Sequence, residues 1–245
     1  NLGAPSFADW LERMPIRKGQ TQLKVVPAYE KWALDLLTKA DYDEYWQHPS
    51  YAPALFWDEM PDVPMLIIGG WYDSYTRSTC ENFIGLSARK QGPVRMLMGP
   101  WTHGAVTLEL SYAGDVEFGA EAALDSFRDL HLRYFDWALK GVDTGEADEP
   151  PVRIFVMGGG GGYRSSSGRL FHGGRWRDEV EWPLERTQYT DYYLHGDGTL
   201  AMEKPDADGG STVYRFDPAS PVPSIGGNVS SLAEIGPLPK GVADS

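Results

Sequence analysis

The chain has 245 residues, of which 42% are hydrophobic and 13% aromatic, and a formal net charge of −13 from 22 basic and 35 acidic side chains. That composition supplies a core and excludes intrinsic disorder, which requires few aromatics and little burial. So acidic a surface repels phosphate backbones and anionic lipid, and neither nucleic acid nor membrane is expected as a partner.

Cys80 is the single cysteine. It excludes an internal disulfide and a thiolate metal site, and within a helical pattern it reads as a small buried hydrophobe rather than a reactive thiol. No run of 18 apolar residues is present, so no spanning helix is expected. The start, Asn1-Leu2-Gly3-Ala4-Pro5, has no basic–apolar leader, and both ends read as interior to a longer chain. A soluble protein, cytoplasmic or secreted, fits these features.

Three zones follow one another without an internal repeat. In residues 1–50, Trp32, Ala33, Leu36 and Leu37 share a helical face, and Tyr42-Asp43-Glu44-Tyr45-Trp46 suggests a second short helix closed by His48-Pro49. In residues 51–148, Val63-Pro64-Met65-Leu66-Ile67-Ile68 is an apolar run ending at Gly69-Gly70, the pattern of a strand buried on both faces. A helix is expected from about Thr76 to Lys90, with Thr79, Phe83 and Leu86 on one face and Gly92-Pro93 as its stop. Val94-Arg95-Met96-Leu97-Met98 reads as the next buried strand. Ala122, Ala123, Phe127, Leu130, Tyr134, Trp137 and Ala138 then form a helical stripe ended by Gly141. Strand, helix, strand, helix is the order of an open α/β sheet.

Residues 149–245 change character. Val152-Arg153-Ile154-Phe155-Val156, Tyr192-Tyr193-Leu194 and Thr212-Val213-Tyr214-Arg215-Phe216 are short β-rich pieces between Gly, Pro and Asp turns. They read as the opening strands of a β-sandwich or jelly roll, with Glu149-Pro150-Pro151 as the linker.

Catalytic groups of doubly wound sheets gather beyond the carboxyl ends of the strands. Here that rule selects Gly69-Gly70-Trp71-Tyr72-Asp73 and Gly99-Pro100-Trp101-Thr102-His103. Each loop carries one titratable residue about five positions past a buried strand, and one intervening helix makes the strands neighbours, so Asp73 and His103 are expected to converge. An imidazole that takes and returns a proton needs a carboxylate on its other nitrogen. Asp before His is the α/β-hydrolase order. Each residue taken alone also fits a plainer role, Asp73 as a turn residue or helix cap and His103 as a loop histidine.

The remaining candidates carry less. His131 lies in the long helix, His172 and His195 in turn-flanked β segments, and His48 before a proline; none has metal-ligand spacing, and no metal or cofactor is expected. Gly158 to Gly162 lacks the Lys-Ser/Thr and the helix of a phosphate loop and reads as a hairpin tip. No G-x-S-x-G occurs, and Ser165-Ser166-Ser167-Gly168 reads as loop, so the nucleophile is expected outside this chain.

At the two loops the sequence resembles the CocE/NonD family of hydrolases, which is related to the X-Pro dipeptidyl-peptidases. The likeness continues through Tyr134-Phe135-Asp136-Trp137-Ala138-Leu139-Lys140-Gly141 and Val152 to Gly158, then Arg175-Trp176-Arg177 with Trp182-Pro183-Leu184. It closes with Tyr214-Arg215-Phe216-Asp217-Pro218-Ala219 and Pro221-Val222-Pro223. The resemblance implies the end of a helical cap (1–50), the C-terminal part of an α/β-hydrolase domain (51–148) and the N-terminal part of a jelly roll (149–245). Asp73 and His103 match the family's triad Asp and His, while its serine, in a G-x-S-Y-x-G elbow, and its oxyanion-hole tyrosine lie upstream of Asn1. Tyr75 stands where relatives line the acyl pocket. Trp71, Tyr72 and Trp101 are implied around the triad, either as packing or, for Trp71 and Trp101, as substrate contacts. Ser74-Tyr75-Thr76-Arg77 lacks the extra carboxylates of α-amino acid ester hydrolases, which disfavours an α-amino acyl group and suits a neutral or aromatic one.

The expected function is thus a serine esterase or acylase acting on a small-molecule ester or amide through an acyl-enzyme, inactive without the missing N-terminal portion of the same protein. A dipeptidyl-peptidase-like enzyme is the alternative within the family. A non-catalytic module in which the β-rich zone binds carbohydrate or a partner is the alternative outside it, since abundant Trp and Tyr serve binding as well as cores. A nucleotide-binding protein lacks a phosphate-cradling motif, and homo-oligomerisation stays open.

Overall fold

Apolar runs bounded by Gly and Pro set the strands, and stripes at helical spacing set the helices, in a computed structural model that describes residues 15–206, 210–211 and 213–222. The chain divides into two units, residues 1–56 and 57–245.

In the first unit, α1 (Pro27–Thr38) opens on Pro27, whose fixed φ suits the first helical position. Buried Glu30 accepts from the Thr21 hydroxyl at 2.8 Å and the Gly19 amide at 2.9 Å. The Thr21 hydrogen bond holds its carboxyl below the usual carboxylate range. Of the expected apolar face, Ala33 and Leu36 are half-buried, whereas Trp32 and Leu37 are exposed. The second helix expected at Tyr42–Trp46 is instead a turn: Asp43 Oδ1 accepts from the Tyr45 amide at 2.9 Å, the local bond by which Asp competes with helix.

The second unit is built on a four-stranded sheet in the order β1 (Met65–Gly70), β2 (Val94–Gly99), β5 (Val152–Met157), β7 (Gly174–Glu179). β1, β2 and β5 run parallel, with Met65 opposite Val94 and Gly70 opposite Gly99, and β7 is antiparallel to β5. The crossover from β1 to β2 is α2 (Thr76–Ser87), which buries Thr79, Phe83 and Leu86 as its spacing predicts. Phe83 and Leu86 join Met96, Met98, Val152 and Ile154 in the main core.

α3 (Phe127–Lys140) packs Phe127 and Leu130 with Leu97, Trp101 and Leu108. It starts five residues later than the apolar stripe because Ser126 caps it, accepting from the Asp129 amide at 3.1 Å. It ends at Gly141, whose φ of 69° lets its amide and that of Val142 turn back to the carbonyls of Trp137 and Asp136.

The sheet does not stop at Glu149-Pro150-Pro151. The Pro151 carbonyl accepts from the Met96 amide at 2.8 Å, and the residues beyond it pair with β2. Val152, Ile154 and Phe155 are buried, so this strand needs cover on both faces, which the sheet interior supplies and an isolated layer does not. A small sheet joins β3 (Tyr112–Ala113), β4 (Val116–Glu117) and β6 (Leu170–Phe171), and β8 (Tyr193–Leu194) pairs with β9 (Leu200–Ala201). Thr212 lies outside the described residues, and Val213 to Phe216, expected as part of the same strand, is exposed and pairs with no strand among the described residues. Among the described residues no helix is long and apolar enough to cross a membrane.

Candidate active site

The site begins where β1 and β2 end. Beyond Gly70 the chain keeps its ladder with the β2 side: the Trp71 amide donates to Gly99 (2.8 Å) and the Tyr72 amide to Trp101 (3.1 Å). This close approach requires glycine. A Cβ at Gly70 would stand 2.2 Å from the Trp101 carbonyl oxygen, and one at Gly99 would stand 2.4 Å from the Trp101 ring. The two loops are thereby held edge to edge.

The first loop turns at Asp73, whose amide donates to the Gly70 carbonyl at 3.1 Å. The Thr76 hydroxyl lies 2.5 Å from the Gly70 carbonyl and 2.6 Å from that of Asp73, fastening the turn to the start of α2. The Asp73 carboxylate is nearly buried. Its Oδ1 accepts from the Tyr75 amide at 2.9 Å, and its Oδ2 lies 3.1 Å from His103 Nδ1.

The second loop is pinned from beneath. Thr107 is fully buried, with its hydroxyl 2.8 Å from the Thr102 carbonyl and 2.6 Å from that of Gly104. Gly104, at φ 109°, takes the turn that releases His103 toward solvent. The His103 side chain is 46% exposed against 12% for Asp73. A carboxylate facing Nδ1 requires the proton there, which leaves the Nε2 lone pair free to accept another. Such an arrangement serves proton transfer at Nε2, with the ring oriented and its cationic form stabilised from Nδ1.

The structure thus brings Asp73 and His103 together and adds Tyr75, whose ring lies 5.2 Å from the imidazole. It places the two tryptophans differently. Trp101 has no exposed surface; its indole N–H donates to the Ala122 carbonyl at 3.0 Å and its ring packs 5.5 Å from Trp176. Of the packing and substrate-contact places expected for it, this is the packing one, because the short Gly99–Trp101 turn sends the indole into the sheet. Trp71 is half-buried, donates to the Phe155 carbonyl at 2.8 Å and packs on Trp182, so it too faces neighbouring strands. Tyr72 packs against Phe118, and burial raises its phenol pKa.

The other candidates lie apart from this pair. Burial raises the pKa of the Cys80 thiol, which packs against the main core. The amides of Gly158, Gly160 and Gly161 donate to the carbonyls of Gly173, His172 and Phe171, so they are not free to cradle a phosphate. Ser165 and Ser167 bond to each other in an exposed turn. His131 and His195 face backbone carbonyls, His172 packs edge-on to Phe118, and His48 faces the Ser50 amide. Among the described residues no three His, Cys, Asp or Glu gather as metal ligands would. Two contributors escaped the sequence reading, Thr76 and Thr107. Their hydroxyls act on carbonyls within their own loops and leave no periodic signal.

A family model described as X-Pro dipeptidyl-peptidase (S15 family) matches residues 8–105, and one described as X-Pro dipeptidyl-peptidase C-terminal non-catalytic domain matches residues 144–231. The chain is 32% identical over 210 residues to cocaine esterase of Rhodococcus sp. (strain MB1 Bresler), covering 81% of this chain and 33% of that protein. It therefore spans about a third of the length of that relative. Among solved structures it is similar to an aminopeptidase from a marine sediment Thaumarchaeota archaeon. The match has 25% identity and a TM-score of 0.55, covering 82% of this chain and 30% of the other.

Proposed function

We propose that Asp73 and His103 are the orienting carboxylate and the general base of a Ser-His-Asp triad, a reading supported by the chain's likeness to the X-Pro dipeptidyl-peptidase (S15) family and to cocaine esterase. The contact that carries this reading is the 3.1 Å approach of Asp73 Oδ2 to His103 Nδ1 at the ends of adjacent parallel strands. The serine belongs to a part of the protein outside these 245 residues, which contain no G-x-S-x-G.

His103 Nε2 takes the serine proton as the hydroxyl oxygen attacks the acyl carbon, and Asp73 stabilises the imidazolium that forms. The imidazolium then gives its proton to the departing alkoxide or amine, leaving an acyl-enzyme. Water attacks next, giving one proton to Nε2, and that proton returns to the serine as the acid is released. The substrates are small esters, with a neutral or aromatic acyl group, since the turn after Asp73 presents no carboxylate to an ammonium. The zone from residue 149 contributes strands to the sheet and does no chemistry.

The family description favours a second reading, in which the same pair cleaves after an X-Pro dipeptide. Full-length natural protein assayed with aryl esters and with X-Pro anilides separates the two. Labelling by a fluorophosphonate is expected, together with loss of turnover in His103→Ala. Normal ester hydrolysis by His103→Ala removes the proposal.

A further inference from the structure

Tyr75 touches both members of the pair. Its backbone N–H donates to Asp73 Oδ1 at 2.9 Å, which orients Oδ2 toward His103. Its ring packs on the imidazole with centroids 5.2 Å apart and planes inclined by 51°. The second contact answers a mechanical need. The imidazole swings about its Cα–Cβ and Cβ–Cγ bonds, and the Nδ1 contact restrains that swing from one edge of a half-exposed ring. A base that must meet a hydroxyl within hydrogen-bond reach does not tolerate that swing.

Resting on the assignment of Asp73 and His103 above, we propose that Tyr75 is a positioning residue: its amide sets the carboxylate, and its ring braces the imidazole so that Nε2 faces the reacting hydroxyl. Its own exposure fits the role. Tyr75 is 58% exposed and adds little to the core, and its ring packs on the imidazole. The arrangement uses the ring and the amide; the hydroxyl has no part in it. A wall of the acyl pocket makes a different demand, because its removal acts on KM and scales with acyl size. A brace acts on every substrate alike.

The test uses the full-length natural protein as wild type, Tyr75→Phe, Tyr75→Leu and Tyr75→Ala. Each is assayed for kcat and KM on p-nitrophenyl acetate, butyrate and benzoate, and for the rate of phosphonylation by a small alkyl fluorophosphonate. Tyr75→Ala is expected to lose roughly tenfold in kcat on all three esters and in labelling rate, with KM nearly constant, and Tyr75→Phe to restore both. A loss confined to KM, or one that grows with acyl size while labelling is unchanged, overturns the bracing role. So does an equal loss in Tyr75→Phe. Thermal melting checks the fold of each variant, and if Tyr75→Ala does not fold, Tyr75→Leu carries the same comparison. Wild type that fails to label, or His103→Ala that turns over normally, refutes the Asp73–His103 assignment itself, so the two failures are distinguishable.

Discussion

The parallel strands of the sheet carry charged groups toward both of their ends, and the two ends are wired differently. At their carboxyl ends stand one carboxylate and one imidazole, joined by a 3.1 Å contact with the imidazole half-exposed. At the start of β2, Arg95 is buried against an equally buried Glu146 at 2.7 Å, with Trp137 5.2 Å from its guanidinium. Arg133 reaches Glu146 and Glu149, and Arg153 reaches Glu149 and Asp178. A cavity of about 50 Å³ opens beside these arginines, yet each of them already has a carboxylate partner. Charges at that end are spent on one another and lock the loop before β5 to the sheet. At the Asp73–His103 end, the polar contact of the imidazole is at Nδ1, and among the described residues Nε2 bonds to none.

The widest separation between the ends is expected from Asp73→Asn. It should lower kcat by about 10⁴-fold with little change in melting temperature, because the tautomer is lost and the fold is not. Comparable activity in the variant, measured on aryl esters, would erase the contrast. Trp101→Ala should destabilise by about 3–5 kcal/mol in denaturant titration, as expected of a buried aromatic and not of a substrate contact. At the other end, Glu146→Ala leaves Arg95 buried and unpaired and should cost about 3–5 kcal/mol of stability, with kcat per folded molecule unchanged.

The smallest effect belongs to the rim. Hydrogen bonding from Arg153 holds the Asp178 carboxyl below its ordinary value of 3.8. A group whose pKa falls on folding stabilises fully above the ordinary value, and that contribution disappears as pH drops through the lower folded value. Asp178→Asn should therefore cost less than about 1 kcal/mol at neutral pH and flatten the pH dependence of stability below about pH 4, read by urea melts.

How far each end was legible follows from the range of the interactions. The β1–α2–β2 unit showed itself through buried runs and a helical stripe, since Thr79, Phe83 and Leu86 recur at the spacing their burial requires. The approach of Asp73 to His103 followed from two strand ends and one crossover. Nothing local announced the partners of Arg95, which reads as one charge inside an apolar run, because Glu146 lies 51 residues away in a short 3-10 turn before β5. The Tyr42–Trp46 helix failed at Asp43, where a side-chain bond to the Tyr45 amide outweighed the apolar spacing.

The sequence by itself determined the strand–helix–strand order, the two loops that carry Asp73 and His103, and the absence of a serine elbow, all written in periodicity and short motifs. Only the tertiary structure decided that the sheet runs on through β5 and β7, that Trp101 is core, and that Tyr75 lies against the imidazole. Those outcomes depend on which surfaces meet across tens of residues, and burial of a strand on both faces is a property of its neighbours as much as of its own residues.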